Sequence, residues 1–185
     1  MIEEIIIAGF GGQGVLSMGK ILAYSGVMEN KEVSWMPSYG PEMRGGTANV
    51  SVIISDERIS SPVINRFDTA IILNQQSMDK FEPSVKKGGV LIYDPNGITH
   101  KPTRTDIDIY TIEASEYAAK AGMSKVFNMV VLGGYLKVKP LVQPEYVRKG
   151  LEKSLPARHH GMIPENEKAI EAGKGLIQLV SKAVL

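Results

Sequence analysis

An apolar run, Ile5-Ile6-Ile7-Ala8, passes directly into Gly9-Phe10-Gly11-Gly12-Gln13-Gly14, and then into a segment whose residues Val15, Met18, Gly19, Leu22 and Gly26 share one helical face. This is strand, tight turn, helix, and few folds begin that way. The glycines stand at G-x-G-x-x-G spacing, which permits tight backbone geometry, close approach of a phosphate to the main chain, and close packing of helix on strand. The helix start adds free N–H groups and about half a positive charge. An anion site and a turn that merely packs helix on sheet both satisfy this sequence.

A dinucleotide site needs one thing more, an Asp or Glu about 20 residues on, at the end of the second strand, to hold the ribose hydroxyls. The second expected strand, Glu32 to Met36, runs into Trp35-Met36-Pro37-Ser38 without a carboxylate, and Glu29 and Glu32 lie at its wrong end. No basic residue stands there for a 2′-phosphate. Ordinary NAD or NADP binding is disfavoured.

The remaining pattern predicts an α/β fold. Ala48 to Ile54 alternates as a strand with one wet face, and Ser55-Asp56-Glu57-Arg58 is expected to turn the chain into a short return at Ile59-Ser60, stopped by Pro62, as an antiparallel hairpin. Thr69 to Leu73, Val90 to Tyr93 and Ile107 to Ile112 read as strands, the first two ending in polar loops like interior strands. Helices are expected at Ala114–Ala121, Asn128–Lys137, Glu145–Leu155 and Glu167–Val184. The architecture expected is a Rossmann-like, doubly wound, mostly parallel sheet with an antiparallel hairpin addition and a helical C-terminal part, in a single domain over 1–185.

Composition removes several classes of function. The formal net charge of +1 leaves no field of one sign for nucleic acid or an anionic membrane. With no cysteine, the chain has no disulfide, thiolate-held Fe–S cluster or thiol nucleophile. The amino-terminal stretch has neither the basic start nor the cleavage site of a signal peptide, and no apolar run reaches the ~20 residues of a membrane span, so a cytoplasmic location is expected. His159-His160 lacks supporting ligands at metal-site spacing, and His100 stands alone. Asp94-Pro95-Asn96-Gly97 falls at a strand's carboxyl end, where ligands bind in such folds, but is also a good turn sequence needing none.

Ser38-Tyr39-Gly40-Pro41-Glu42-Met43-Arg44-Gly45-Gly46 reads as a contact surface. Arg44 suits bidentate pairing with a carboxylate or phosphate, and Tyr39 is a rigid aromatic anchor. Together, "GFGGQGV", "SYGPEMRGGTANVSVIIS", "ISSPVI" and "NMVVLGGYL" resemble the gamma subunit of the 2-oxoacid:ferredoxin oxidoreductases, the family of the pyruvate and 2-oxoglutarate enzymes, over about Ile5 to Gly173. The resemblance implies a non-catalytic subunit, inactive alone, of a complex that decarboxylates a 2-oxoacid oxidatively to its acyl-CoA and passes electrons to ferredoxin. Thiamine pyrophosphate and Fe–S clusters would reside on alpha, beta and delta partners, with this chain docking against them and helping to enclose coenzyme A. The thiamine motif Gly-Asp-Gly…Asn is absent here. Carried over by position, Gly9, Gly11, Gly12, Gln13 and Gly14 form the cofactor-facing loop, and Tyr39, Gly40, Pro41, Glu42, Arg44, Gly45, Gly46, Ser61 and Pro62 form the partner interface. No catalytic residue and no metal ligand is assigned. Two other readings stand beside this one: a stand-alone Rossmann-type nucleotide-binding reductase or sensor, and an architectural homodimer of the isolated chain.

Overall fold

The structure, a computed structural model, describes residues 1–38 and 47–184. Strands β1 (Ile2–Phe10), β2 (Glu32–Ser38), β3 (Thr47–Ser55), β4 (Phe67–Ile72), β5 (Val85–Tyr93), β6 (Asp108–Thr111) and β7 (Gln178–Ser181) form one sheet in the order β2-β3-β1-β4-β5-β6-β7. β1, β4, β5 and β6 are mutually parallel, whereas β3 is antiparallel to both β1 and β2, and β7 to β6. The helices are α1 (Val15–Met28), α2 (Gln75–Phe81), α3 (Ala114–Lys120), α4 (Phe127–Val138), α5 (Pro144–Ser154) and α6 (Ile163–Leu176).

The continuous apolar run of β1 is explained by its central place. Successive strand side chains face opposite ways, so Ile5 and Ile7 enter one core with residues of α1, α3, α4, α5 and α6, while Ile6 and Ala8 enter a second, with Met78 and Phe81 of α2. Helices on both faces make the sheet doubly wound, as expected from the sequence. On the larger side α4 and α6 pack backbone to backbone. A Cβ on Gly133 would overlap the carbonyl oxygen of Ile170, and one on Gly173 would overlap that of Val130.

Three local expectations are corrected. The antiparallel hairpin is formed by β2 and β3, with Ser38 opposite Asn49; Ile59 and Ser60 belong to no strand. A two-residue return leaves the far side of β3 open, whereas β1 pairs with all of it from Ile2↔Ser55 to Phe10↔Thr47. That interior position is also why Ile53 breaks the wet-face alternation, being buried like Val52 and Ile54. Pro37 lies in β2, an edge strand, where a missing N–H is tolerated. At the carboxyl end, the helix expected over Glu167–Val184 stops at Leu176, and Gln178–Ser181 closes the edge of β6 instead. The polar Gln75-Gln76 is no loop but the start of α2, whose first turn is capped by the Asn74 side chain accepting the Ser77 N–H at 2.9 Å.

Candidate functional site at the carboxyl edge of the sheet

The chain leaves β1 through α1 towards β2 on one side, and β4 lies against the other side of β1. Strand order therefore diverges between β1 and β4, and in open α/β sheets ligands bind outside the carboxyl ends at such a point. The glycine turn sits there. The strand ends beside it are laced together: Leu73 N–H donates to Ala8 O (2.9 Å), Asp94 N–H to Ile72 O (3.3 Å) and Ile112 N–H to Tyr93 O (3.0 Å).

Within the turn, Gln13 is spent on the protein itself. Its Oε1 accepts the Phe10 N–H at 2.6 Å and its Nε2 donates to Leu73 O at 3.3 Å, so the side chain ties the turn to the end of β4. Gly9 is packed against Gln13 and Leu73 too closely to admit a Cβ. Gln13 and Gly9 thus shape the turn, and each end of the Gln13 amide makes one bond within the protein. The backbone is left-handed at Gly12 (φ 94°) and Gly14 (φ 73°), where glycine avoids the steric cost of a side chain. Gly11 and Gly12 are exposed, and the Cβ side of Gly12 faces open space.

Gly14 is the N-cap of α1 and provides no side-chain cap; the first turn of the helix contains no acid. Its carbonyl accepts from Met18 N–H at 2.9 Å and from Asn128 Nδ2 at 3.1 Å. A helix start with no side-chain cap and no acid in its first turn, next to two exposed glycines, keeps its positive dipole end uncompensated, an arrangement suited to a phosphate. The residues present fit the diphosphate of coenzyme A in this sense.

Asp94 is buried but fully engaged. Its Oδ1 accepts the Asn96 N–H at 3.0 Å, and its Oδ2 accepts both the N–H (2.8 Å) and the hydroxyl (2.6 Å) of Ser115. It fastens the turn after β5 to the first turn of α3, a positioning role that leaves no lone carboxylate for a ligand. Ser61 and Pro62 are exposed, with Ser61 Oγ accepting the Val63 N–H at 3.2 Å, in the segment between β3 and β4. The structure brings neither into hydrogen-bond contact with the glycine turn. Tyr39, Gly40, Pro41, Glu42, Arg44, Gly45 and Gly46 lie outside the described residues; Ser38 and Thr47, which flank them, lie at the same sheet edge as the glycine turn. His159 and His160 are exposed, and no group of three or more His, Cys, Asp or Glu suited to a metal occurs among the described residues.

Sequence reasoning missed Asn128 and Leu73. Asn128 is 114 positions from Gly14, and nothing local in "NMVVLGGYL" marks its amide as a partner of the turn.

A doubly wound sheet with a glycine turn at its switch point, and no acid at the end of β2 to hold a ribose, is a Rossmann-like domain without the usual dinucleotide grip. The family model described as "Pyruvate ferredoxin/flavodoxin oxidoreductase" matches residues 4–176, and the chain belongs to that family. It is 36% identical to the 2-oxoglutarate synthase subunit KorC of Methanocaldococcus jannaschii, covering 84% of this chain and 85% of that one. It is 44% identical to the ketoisovalerate oxidoreductase subunit VorA of Methanothermobacter thermautotrophicus over 70% of its length, but spans 27% of that relative. Among solved structures, the keto/oxoacid ferredoxin oxidoreductase gamma subunit from Geobacter sulfurreducens superposes with a TM-score of 0.80 at 25% identity, covering 96% of this chain and 99% of that one. The 2-oxoglutarate:ferredoxin oxidoreductase from Magnetococcus marinus shares the fold at a TM-score of 0.84, with this chain covering 31% of its length. No described helix is long and apolar enough to cross a membrane.

Proposed function

We propose that the chain, acting as one gamma-type domain over 1–185, is the gamma subunit of a 2-oxoacid:ferredoxin oxidoreductase, docking against alpha, beta and delta subunits and helping to enclose coenzyme A. The uncapped start of α1 beside exposed Gly11 and Gly12, at the β1/β4 switch point, is the observation that carries the coenzyme A part. Family membership and the KorC and gamma-subunit relatives support the rest. Thiamine pyrophosphate would supply the decarboxylation chemistry and Fe–S clusters would carry the electrons; both are assigned to the partner chains, since this one has no Gly-Asp-Gly…Asn thiamine motif and no cysteine to hold a cluster. The contribution of this chain is a phosphate cradle with a fixed backbone, held by Gln13 and Asn128, and a docking surface built from Tyr39, Gly40, Pro41, Glu42, Arg44, Gly45, Gly46, Ser61 and Pro62.

Co-expression with subunits bearing thiamine and clusters tests the assignment. A stable complex that reduces ferredoxin with a 2-oxoacid is expected, and no viologen reduction by the isolated chain; activity of the chain alone refutes the division of labour. Calorimetric titration of the chain with coenzyme A and with NAD separates this reading from a stand-alone nucleotide-binding reductase. Micromolar NAD binding with no response to coenzyme A overturns it. Within the complex, Arg44→Ala is expected to weaken assembly or turnover by more than the ~0.5 kcal/mol of an ordinary surface change.

A further inference from the structure

At the amino edge of the sheet, far along α4 from Asn128, the end of that helix meets α5 and α6 around a hollow of about 580 Å³. Its floor is aliphatic: Leu136, Val142, Val147 and Ile170 line it, all counted in the larger core and all retaining 6–7% exposure. Pro140 and Pro144 stiffen one wall. The volume lies within the range of small-molecule sites, about 300–1,000 Å³, and an apolar floor is their usual make-up, here beneath a rim of charged side chains.

The charges at the mouth are nearly all used. Arg148 pairs with Glu167 through two contacts (3.0 and 2.8 Å) and with Glu152 (3.4 Å), and Lys174 with Glu171 (2.8 Å). Lys137 lines the hollow and has no ion-pair partner among the described residues. The site therefore offers hydrocarbon contact below and one unmatched cation above.

A small molecule suits it better than a protein surface. Among the described residues the large exposed apolar side chains are Met1, Ile2, Phe10, Val27, Met36, Val63, Leu179, Val180 and Val184, none of which lines this hollow. A docking protein needs apolar area spread beyond a single depression, whereas this one is ringed by ion pairs.

We propose that the α4–α5–α6 hollow binds an amphipathic monocarboxylate, its hydrocarbon body on the aliphatic floor and its carboxylate on Lys137. The proposal does not depend on the coenzyme A reading, because the glycine turn is at the opposite edge of the sheet.

The test is calorimetry of the full chain with butyrate, hexanoate and octanoate, with methyl NMR of labelled Leu, Val and Ile to locate the ligand. Affinity is expected to rise about fourfold per added methylene, as hydrocarbon burial requires, with shifts centred on Leu136, Val142, Val147 and Ile170. Lys137→Glu, a surface change that preserves the fold, is expected to weaken octanoate at least tenfold and to improve octylammonium. Three results overturn the proposal: no octanoate binding at millimolar concentration, shifts centred elsewhere, or an affinity that Lys137→Glu leaves unchanged. Loss of octanoate binding in the assembled complex, with these methyls protected by a partner subunit, makes the hollow a protein-docking site and also overturns it.

Discussion

The side-chain amide of Asn128, in the first turn of α4, donates to the carbonyl oxygen of Gly14 and fills the space that a Gly14 side chain would need, with Nδ2 2.5 Å from the position of a Cβ. One residue thus fixes the helix start at the carboxyl edge of the sheet. Gly14→Ala carries two costs: a left-handed backbone with a Cβ, about 1–2 kcal/mol, and displacement of Asn128, about 1–3 kcal/mol. Gly12→Ala carries the first cost alone, because nothing lies within 4 Å of its Cβ position. Urea unfolding of the two variants should therefore differ by at least about 1 kcal/mol, and Asn128→Ala should narrow that gap by making room. Equal losses at the two positions remove Asn128 from the account.

Gln13 allows a sharper test, since both ends of its amide are engaged. Gln13→Ala forfeits two hydrogen bonds, about 1–2 kcal/mol. Gln13→Glu keeps the acceptor for Phe10 N–H but sets a carboxylate oxygen against Leu73 O. At pH 7 it should be at least as destabilising as the alanine variant, and the penalty should shrink below the ordinary glutamate range of ~4.3, where the carboxyl is protonated and can donate again. Denaturant midpoints at pH 7 and pH 4 read this directly. A Gln13→Glu protein as stable as the parent at both pH values shows that the Leu73 contact contributes nothing.

The parts of this fold that were legible in the sequence are those set by local periodicity. Ile5-Ile6-Ile7-Ala8, Val90–Tyr93 and the faces of α1, α4 and α5 carry their burial in their spacing. What could not be read depends on partners distant in the chain. The strand at Leu179 and Val180 exists because β6 has an open edge, so a tract with adequate helix propensity joins the sheet. The pairing of β3 was misassigned because alternation marks a strand's faces and not its neighbours. At the candidate site the glycines were visible, since their chemistry is local, but their support from Asn128 and Leu73 was not. That the Gln13 amide reaches the Phe10 N–H and the Leu73 carbonyl was not legible either, because sequence proximity does not say where an amide's hydrogen bonds go.

Tyr135 in α4 is wholly buried, and its hydroxyl has no hydrogen-bond partner among the described residues. Burial, followed by the neighbouring charges of Glu3 and Asp68, pushes its ionisation well above the ordinary tyrosine range, so the group is a neutral hydroxyl at pH 7. Glu3 nearby is already engaged by the Thr69 hydroxyl (2.6 Å) and by Lys139 (3.4 Å). Tyr135→Phe keeps the ring and removes the desolvated group, and is expected to raise stability by about 1 kcal/mol. Thermal and urea unfolding measure it. A clear loss of stability shows that the hydroxyl bonds within the core.

Arg104 clamps the segment before β6 in two directions: Nε and one terminal nitrogen meet the two oxygens of Asp106 at 2.7 and 2.8 Å, and the other terminal nitrogen donates to the carbonyls of Val85 (2.6 Å) and Glu82 (3.2 Å). The hydrogen bonds from Arg104 hold the Asp106 carboxyl below the ordinary aspartate value of ~3.9. A carboxyl whose folded value is depressed adds stability above its unfolded value, and that stability is lost as pH falls through the folded one. Asp106→Asn should therefore be less stable than the parent at pH 7 by an amount that stays level down to about pH 5 and closes as pH drops below about 4. Asp56, Asp108 and Glu116, also held low beside lysines, contribute an acid slope common to both proteins, and the difference between them removes it. Because the pair is only partly buried, raising the salt concentration should shrink the pH 7 difference. Urea midpoints from pH 7 to pH 3, at low and high salt, check both trends, and a difference independent of pH would show that Arg104 acts through the Glu82 and Val85 carbonyls alone.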